Sequence, residues 1–352
     1  MIMVIYGFEK GQGQGNTLFN FDEGLRDKLE FVNQSILDLD LSGVHPILAD
    51  PTRYSITGGG KRLRPMMCML CAEVVGGDYR DTREAFLALE LIHNGTLVHD
   101  DIIDEDLFRR GTPSVQVKYD IKRAVLTGDA LLSLGLKYAS MTNNPKVVHM
   151  LAETALKMVQ GVALQTFFRR KKVAENTYLK INYLKSGSLF ECAAALGGIV
   201  SSDIPGDYEA LGQFGRNFGD AYQIRDDICG VYAETKHDDL SRIDLLNGDV
   251  SLPLIYALES EEISTQDVST LMMLYLGEKE TADIEEIRRI YEESGALGRS
   301  IVKMKDYARE GTRCLEGFED SKAKSFLIHL LDRYYISFSP EQAGGRPLIP
   351  HL

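Results

Sequence analysis

The sequence predicts an all-α fold, and three observations carry that reading. Apolar residues recur at spacings of three and four through most of the chain, runs of strict alternation are few, and turn signals separate the periodic segments. The first helical segment is 22–42. After the turn Gly58-Gly59-Gly60 comes 62–76, which opens on a basic cluster and Pro65 and runs to the Gly76-Gly77 turn. The segment 82–106 contains the apolar run Leu89 to Ile103, and 114–141 ends at Asn143-Asn144-Pro145. Segment 146–170 closes on Arg169 to Lys172, read as a solvated basic end favoured by the helix dipole. Segments 177–199 and 206–229 flank the turn Asp203 to Gly206, and 252–260, 283–293, 296–317 and 320–335 complete the pattern. No linker-like composition shift or solenoid repeat interrupts 22–336, which is therefore expected to be one domain. Residues 1–21 and 337–352 are expected to be poorly ordered ends. The glycines of Gly11 to Gly15 do not form a dinucleotide fingerprint, since no strand and crossover surround them.

Composition narrows the function classes. At 352 residues and 44% apolar content the chain can bury a large core. A net charge of −13 argues against nucleic acid as a partner. No unbroken apolar run approaches the ~18 residues of a membrane span, and Met1 to Phe8 lacks the regions of a signal peptide, so a cytoplasmic, not membrane-spanning protein is expected. The cysteines number five, which suggests no disulfide framework, and Cys68 and Cys71 read as core thiols rather than a zinc pair because no second pair stands at ligand spacing.

The chemistry is concentrated in two acidic stretches. Asp100-Asp101-Ile102-Ile103-Asp104 places three carboxylates within about one helical turn of an apolar segment, with Asp100 and Asp104 on the same face. Adjacent carboxylates repel and are costly to desolvate, so a cleft holding them usually holds divalent cations, and hard oxygen ligands point to Mg²⁺. A second pair, Asp226-Asp227, lies in the helical run Phe214 to Ile228 with Gln223 one turn before it. Two such helices facing each other would make a cage for magnesium and phosphate.

The basic residues run against the overall charge. Lys61, Arg62 and Arg64 follow three glycines at a helix start, where backbone N–H groups already favour an anion. A lysine point charge and an arginine fork together suit a diphosphate, although an isolated Gly-Lys-Arg reads better as a solvated turn. Arg109-Arg110-Gly111 falls just beyond the acidic face, near the same cleft rim.

Taken in order, Gly59-Gly60-Lys61-Arg62-Leu63-Arg64-Pro65, His93, His99-Asp100-Asp101-Ile102-Ile103-Asp104, Arg109-Arg110-Gly111, Lys185-Ser186 and Tyr222-Gln223-Ile224-Arg225-Asp226-Asp227 resemble the trans-type polyprenyl diphosphate synthases, which include farnesyl and geranylgeranyl diphosphate synthases. The resemblance covers roughly 22–336. It implies an isoprenoid-synthase-type helical bundle around a central cavity, in which isopentenyl diphosphate and an allylic diphosphate are condensed. By that resemblance Lys61, Arg64 and His93 hold isopentenyl diphosphate, with Arg110 beside them. Asp100 and Asp104 hold two Mg²⁺ ions and Asp226 a third, while Arg109, Lys185, Ser186 and Gln223 complete the allylic site. The catalytic set is then Asp100, Asp104, Arg109, Lys185 and Asp226. The proton is lost to the departed diphosphate, so no protein base is required, and His99 reads as a packed histidine. The resemblance also implies a homodimer, with a heteromer as the alternative.

Several positions depart from that pattern. The second acidic motif continues as Ile228-Cys229-Gly230 without a third aspartate. Gly161-Val162-Ala163-Leu164-Gln165 stands where Gly-Gln-x-x-Asp is common. Asp244-Leu245-Leu246-Asn247-Gly248-Asp249 lacks the usual final lysine, and only Lys236 could replace the lysine of the preceding loop. All fall on the allylic half. They fit a slow or altered synthase, and also a weakened partner or regulatory subunit of a heteromeric enzyme. A terpene cyclase is a poorer fit because the two basic motifs imply a second diphosphate. Gly95 and Thr96 lie about one turn (~5.4 Å) beneath Asp100. Small residues there either leave room for a tail, giving products of C20 or longer, or mark tight helix packing.

Overall fold

The structure is a computed structural model describing residues 21–202, 204–232, 244–279 and 283–339. Expectations on residues 1–20, Lys236 and the tail Pro340 to Leu352 lie outside the described residues. In chain order the helices are α1 (Phe21–Leu37), α2 (Pro46–Thr57), α3 (Leu63–Val74), α4 (Arg83–Ile103), α5 (Val115–Lys118), α6 (Ile121–Met141), α7 (Pro145–Phe168), α8 (Glu175–Asn182), α9 (Ser188–Ser201) and α10 (Pro205–Tyr232). They continue as α11 (Asp244–Asn247), α12 (Leu252–Leu258), α13 (Thr265–Leu276), α14 (Ile284–Glu293), α15 (Ala296–Cys314) and α16 (Lys322–Leu331). A π turn, Tyr183–Gly187, joins α8 to α9. The all-α expectation holds. The one departure among the described residues is a two-stranded hairpin, β1 (Phe108–Arg109) against β2 (Thr112–Pro113), too short for its alternation to register.

Local chemistry explains the boundaries that periodicity misplaced. The expected segment 114–141 is cut because the Asp120 side chain accepts from the Arg123 N–H and starts α6 afresh. Helix α2 carries Pro46 at its start and Pro51 inside it, which hid it from a periodicity reading. Helix α13 is fixed by a capping box, Ser264 with Asp267, and stops at Gly277 in the left-handed conformation.

One cluster of buried side chains runs from Val32 to Phe338. Helices α4 and α6 pack side by side, as do α9 and α10, with α3 and α15 on the outer sides of that second pair. Backbone proximity is set by small residues. A Cβ on Gly135 would stand 2.6 Å from Ile92, and one on Gly161 would stand 2.5 Å from the backbone nitrogen of Lys185. The second contact matters most, because it seats the π turn against α7. Cys68, Cys71 and Cys192 are free thiols in this core, and burial pushes the Cys192 thiol up to about 12.

Helix α7 carries a long apolar face. Its composition reaches that of a membrane-crossing segment, with a window of mean hydropathy 1.2, although polar residues such as Glu153, Thr154 and Gln160 break every apolar run. Only 28% of that window is buried, and Ala152, Leu156, Val159, Ala163 and Phe167 form an exposed stripe along one face.

Gly161→Ala should destabilise the protein by about 1–3 kcal/mol, since the obstructing atoms are backbone and cannot rotate away. Urea unfolding measures this; a loss below about 0.5 kcal/mol would mean that α7 and the π turn are not locked together.

Candidate active site

Asp100 and Asp104 lie one turn apart at the end of α4, while Asp101 points inward. Burial raises the Asp100 carboxyl above its ordinary range, with Lys185 opposing the shift and Asp104 adding to it. Burial likewise pushes Asp101 up to about 6, against the opposing pull of Arg109. The Arg109 Nε donates to Asp101 Oδ1 at 2.6 Å and its Nη2 to Asp106 Oδ2 at 2.9 Å. These contacts hold Arg109 on the acidic motif and its hairpin.

The expectation that Arg169 to Lys172 form a solvated end is corrected. The Arg169 Nη2 donates to Asp104 Oδ1 at 2.9 Å, while its Nε and Nη2 donate to Asp249 at 2.9 and 3.1 Å. The Arg170 guanidinium donates to the carbonyls of Tyr275 and Leu246 at 3.3 and 3.4 Å. These groups stay because they meet carboxylates and carbonyls brought from elsewhere in the chain, which a local charge run does not reveal.

Across the cavity, the residues of the second acidic motif divide by direction. Asp226 is open to solvent, yet surrounding protein pushes its carboxyl up, opposed by Lys61, Arg225 and Lys185. Asp227 is buried and accepts from the Tyr178 hydroxyl at 2.7 Å, Gln223 Nε2 at 3.0 Å and the Leu252 N–H at 3.3 Å. Asp227 therefore anchors α8 and α12 rather than facing the cavity. Asp244 on α11 completes the acidic wall; burial raises its carboxyl well above the ordinary range, and Asp227 and Asp226 add to the shift. Sequence reasoning quoted Asp244 only as part of a variant motif, and its place beside Asp226 became visible only with α11 folded back.

The π turn presents Lys185 and Ser186 between the two acidic helices. Lys185 Nζ donates to Gln165 Oε1 at 2.5 Å, and Ser186 Oγ to Gln223 Oε1 at 2.9 Å. Lys185 is close enough to Asp100, Asp226 and Asp244 to pull each carboxyl down. Gln165 thus holds the central cation of the cleft, a task sequence reading did not give it.

A separate cationic corner forms where α3 begins. Gly59 and Gly60 have φ of +85° and +132°, which favour glycine, and a Cβ on Gly60 would stand 2.8 Å from the Arg110 guanidinium. Arg110 Nη1 donates to the Gly59 carbonyl, and Arg64 Nη1 lies 3.2 Å from His93 Nε2. Burial and then Arg64 and Arg110 hold the His93 pKa well below its ordinary value, so the ring is neutral. The buried Arg64 Nε and His93 Nδ1 have no partner, as expected of groups that meet an anion. Lys61 is exposed at the same corner. Arg62, by contrast, turns inward to Glu90 at 2.5 Å and to the Ile56 carbonyl at 3.0 Å, and so braces the loop.

Gly95 does not open a cavity. A Cβ there would stand 3.1 Å from the Gly128 carbonyl and 3.2 Å from Leu132, so the residue marks tight packing of α4 on α6. Thr96 is buried and donates to the His93 carbonyl at 2.8 Å. Of the two readings given for Gly95, this geometry carries helix packing. His99 lies against Gly128 with Nε2 3.1 Å from the Val125 carbonyl, as a packed histidine would.

Among the described residues no group of three or more Asp, Glu, His or Cys could hold a metal ion alone. The carboxylates instead come from three helices, Asp100 on α4, Asp226 on α10 and Asp244 on α11, that converge near enough to Lys185 for its charge to pull each of them down, which suits Mg²⁺ bound through one or two carboxylates together with substrate phosphates and water. Burial raises Asp100, Asp226 and Asp244, with Asp104 adding at Asp100 and Asp227 and Asp226 adding at Asp244, and a bound cation would favour the charged carboxylates.

The sequence model of the polyprenyl synthetase family matches residues 45–294. A geranylgeranyl diphosphate synthase of Methanosarcina mazei is 34% identical over 293 residues, which is 81% of this chain and 88% of that protein. A short chain isoprenyl diphosphate synthase of Methanothermobacter thermautotrophicus is 31% identical over 317 residues, 88% of this chain and 96% of its own length. The crystal structure of a geranylgeranyl pyrophosphate synthetase from Pyrococcus horikoshii superposes with a TM-score of 0.79 at 26% identity, covering 90% of this chain and 98% of that one.

Asp220, beneath the π turn, generates a pH prediction. It is 4% exposed, its Oδ1 has no partner, and Arg216 Nε is 3.9 Å away; burial pushes its pKa up to about 7. The folded state thus holds this proton up to about pH 7, while the unfolded chain releases it near pH ~3.9. Stability is lost as pH rises between those values. Asp220→Asn should raise stability at pH 8 by on the order of 2–4 kcal/mol and leave it nearly unchanged at pH 4. Equal effects at both pH values in urea titrations would show that Asp220 does not bury a proton.

Proposed function

The chain belongs to the polyprenyl synthetase family, and on that premise we propose that it condenses isopentenyl diphosphate with an allylic diphosphate to give a trans-polyprenyl diphosphate of C20 or longer. The observation that carries this reading is a pair of charge environments close enough to act on each other, since Lys61 pulls the Asp226 carboxyl down. One is the cationic corner of Lys61, Arg64, His93 and Arg110 with its orphaned nitrogens. The other is the acidic wall of Asp100, Asp104, Asp226 and Asp244, with Lys185 in between. A prenyltransferase needs both, one for each diphosphate. A cyclase needs only one diphosphate site, and the cationic corner would then have nothing to hold.

In this reading Asp100, Asp104 and Asp226 hold Mg²⁺, three ions in all, and Asp244 adds its charge beside Asp226. When bound, Mg²⁺ neutralises the charge that develops on the departing diphosphate. Lys185, fixed by Gln165, adds a cation that is already in place before the carbon–oxygen bond breaks. Ser186 and Gln223 hydrogen-bond each other at 2.9 Å and complete the rim of the allylic site, and Arg109 sets the acidic motif by holding Asp101. Lys61, Arg64, His93 and Arg110 orient isopentenyl diphosphate so that its alkene attacks the allylic cation. The new carbon–carbon bond leaves a cation on the isopentenyl unit, and loss of a proton to the departed diphosphate closes it. Neutral His93 then donates to a phosphate oxygen rather than taking the proton.

Products of C20 or longer rest on the relatives named geranylgeranyl diphosphate synthases, since Gly95 is occupied with helix packing. A homodimer is the assembly we favour, because the exposed stripe Ala152, Leu156, Val159, Ala163 and Phe167 on α7 adjoins exposed Leu126 and Leu136 on α6.

Incubation of the protein with labelled isopentenyl diphosphate, C5, C10 or C15 primers and Mg²⁺ should yield chains of C20 or longer. Asp100→Ala, Asp104→Ala and Asp226→Ala should each cost at least ~3 kcal/mol in the barrier, about a hundredfold in rate. Asp227→Ala should instead lower the thermal midpoint, since it removes the acceptor of three hydrogen bonds. Turnover that survives chelation would end the metal assignment, and turnover only with a second chain would favour the subunit reading. Light scattering should give about twice the 39.3 kDa chain mass, and a monomer at micromolar concentration would contradict the dimer.

A further inference from the structure

The end of α7 carries a cation that neither the acidic motifs nor the cationic corner accounts for. Arg169 caps the helix with φ −52° and ψ 132°, which turns the chain out of the helical path. Its guanidinium spans the cleft mouth, from Asp104 on α4 to Asp249 after α11. Gln165, one turn back on the same face of α7, holds Lys185. The two positions therefore place cations along one wall of the acidic cavity.

The two carboxylates are not equivalent partners. Asp249 receives two of the three hydrogen bonds, and its side chain is 13% exposed against 29% for Asp104. The segment bearing Asp249 is also fastened to α7 independently of Arg169. The Arg170 N–H donates to the Gly248 carbonyl at 2.8 Å, and its guanidinium reaches the carbonyls of Tyr275 and Leu246 at 3.3 and 3.4 Å. That side chain passes over Gly248 and Gly277, whose φ values of +75° and +77° favour glycine and where a Cβ would collide with it. The Tyr275 hydroxyl donates to the Lys171 carbonyl at 2.8 Å. Asp249 is thus the fixed end of the bridge and Asp104 the exchangeable one. Among the described residues the Arg169 Nη1 donates to no partner.

We propose that Arg169 is a further substrate-binding residue, a guanidinium tethered by Asp249 that neutralises Asp104 in the empty site and turns to the allylic diphosphate when a divalent cation takes Asp104. The proposal rests on the reading of Asp104 as a metal ligand and deepens it. A cation at Asp104 repels the guanidinium, and a diphosphate beside that cation attracts it. Pivoting about the Asp249 contact needs only side-chain rotation, because the backbone on both sides is stapled. The fork retains Nε on Asp249 while the Nη groups become free for two phosphate oxygens. No bond is made or broken in this step other than hydrogen bonds and ion pairs.

The exchange leaves a signature in binding without turnover. Calorimetry on the full chain would titrate Mg²⁺ alone and then inorganic pyrophosphate in saturating Mg²⁺. Arg169→Ala should bind Mg²⁺ alone more tightly, by about threefold or more, because Asp104 is no longer occupied. The same variant should bind pyrophosphate about tenfold more weakly, as expected for loss of one charge-assisted contact. Shifts in the same direction, or no shift in either titration, overturn the proposal. Should Arg169→Ala fail to fold by circular dichroism, Asp249→Asn serves instead. It frees the guanidinium from its tether, so pyrophosphate should bind more weakly and Mg²⁺ alone should not bind more tightly; unchanged pyrophosphate affinity overturns the proposal. Asp104→Ala separates the two layers of the argument. If it binds Mg²⁺ as the unmodified chain does, the metal reading of Asp104 fails. If it loses Mg²⁺ while Arg169→Ala lacks opposed shifts, only the exchange fails.

Discussion

Carboxylates buried around one central lysine are the constraint on which the rest of this structure depends. Asp100, Asp226 and Asp244 all have carboxyls lifted above the ordinary range, chiefly by burial, and Asp244 is lifted further by Asp227 and Asp226. Such an arrangement costs folding free energy unless cations are supplied, and the protein supplies them from positions far apart in the chain. Lys185 comes from the π turn, Arg109 from the hairpin and Arg169 from the end of α7. In the proposed reading, the negative charge that remains would draw a divalent cation and a diphosphate bound to it.

Those cations work only because the helices carrying them approach closely. The π turn is pressed on α7 at Gly161, and α10 runs beneath it past Asp220. Lys185 therefore projects from a wall that has little freedom to shift, and its charge is in place before any substrate arrives. The same packing uses Gly95 against α6. A small residue beneath a reactive motif can serve a cavity or a contact, and here the contact consumes it.

The cationic corner obeys a different rule. Arg64 and His93 are half-buried, each with a buried nitrogen that has no partner, and Arg110 lies over Gly60. An unsatisfied buried donor is normally costly, so such groups persist where a ligand satisfies them. Arg62 sits between Lys61 and Arg64 in the chain yet closes on Glu90, so neighbouring residues of one basic motif take different surroundings.

Much of this was legible in the linear chain. Periodicity revealed the helices because one face of each must be buried, and the order of acidic and basic motifs resembled the family that the comparisons then identified. The spacing of Asp100 and Asp104 placed both on one face, since that depends only on helical geometry. Partners brought together from distant segments were not legible. Arg169 read as a solvated charge because its neighbours in sequence are basic, and only the folded chain sets Asp104 and Asp249 against it. Asp226 and Asp227 are adjacent letters, but one faces the cavity and the other accepts from Tyr178, because α8 and α12 cover only that side of α10. The sequence by itself determined which chemistry is present and on which helices. The tertiary structure decided which charges are free to act and which are spent on the fold, because ion pairing depends on distance in space and falls to little beyond the first few ångströms of solvent.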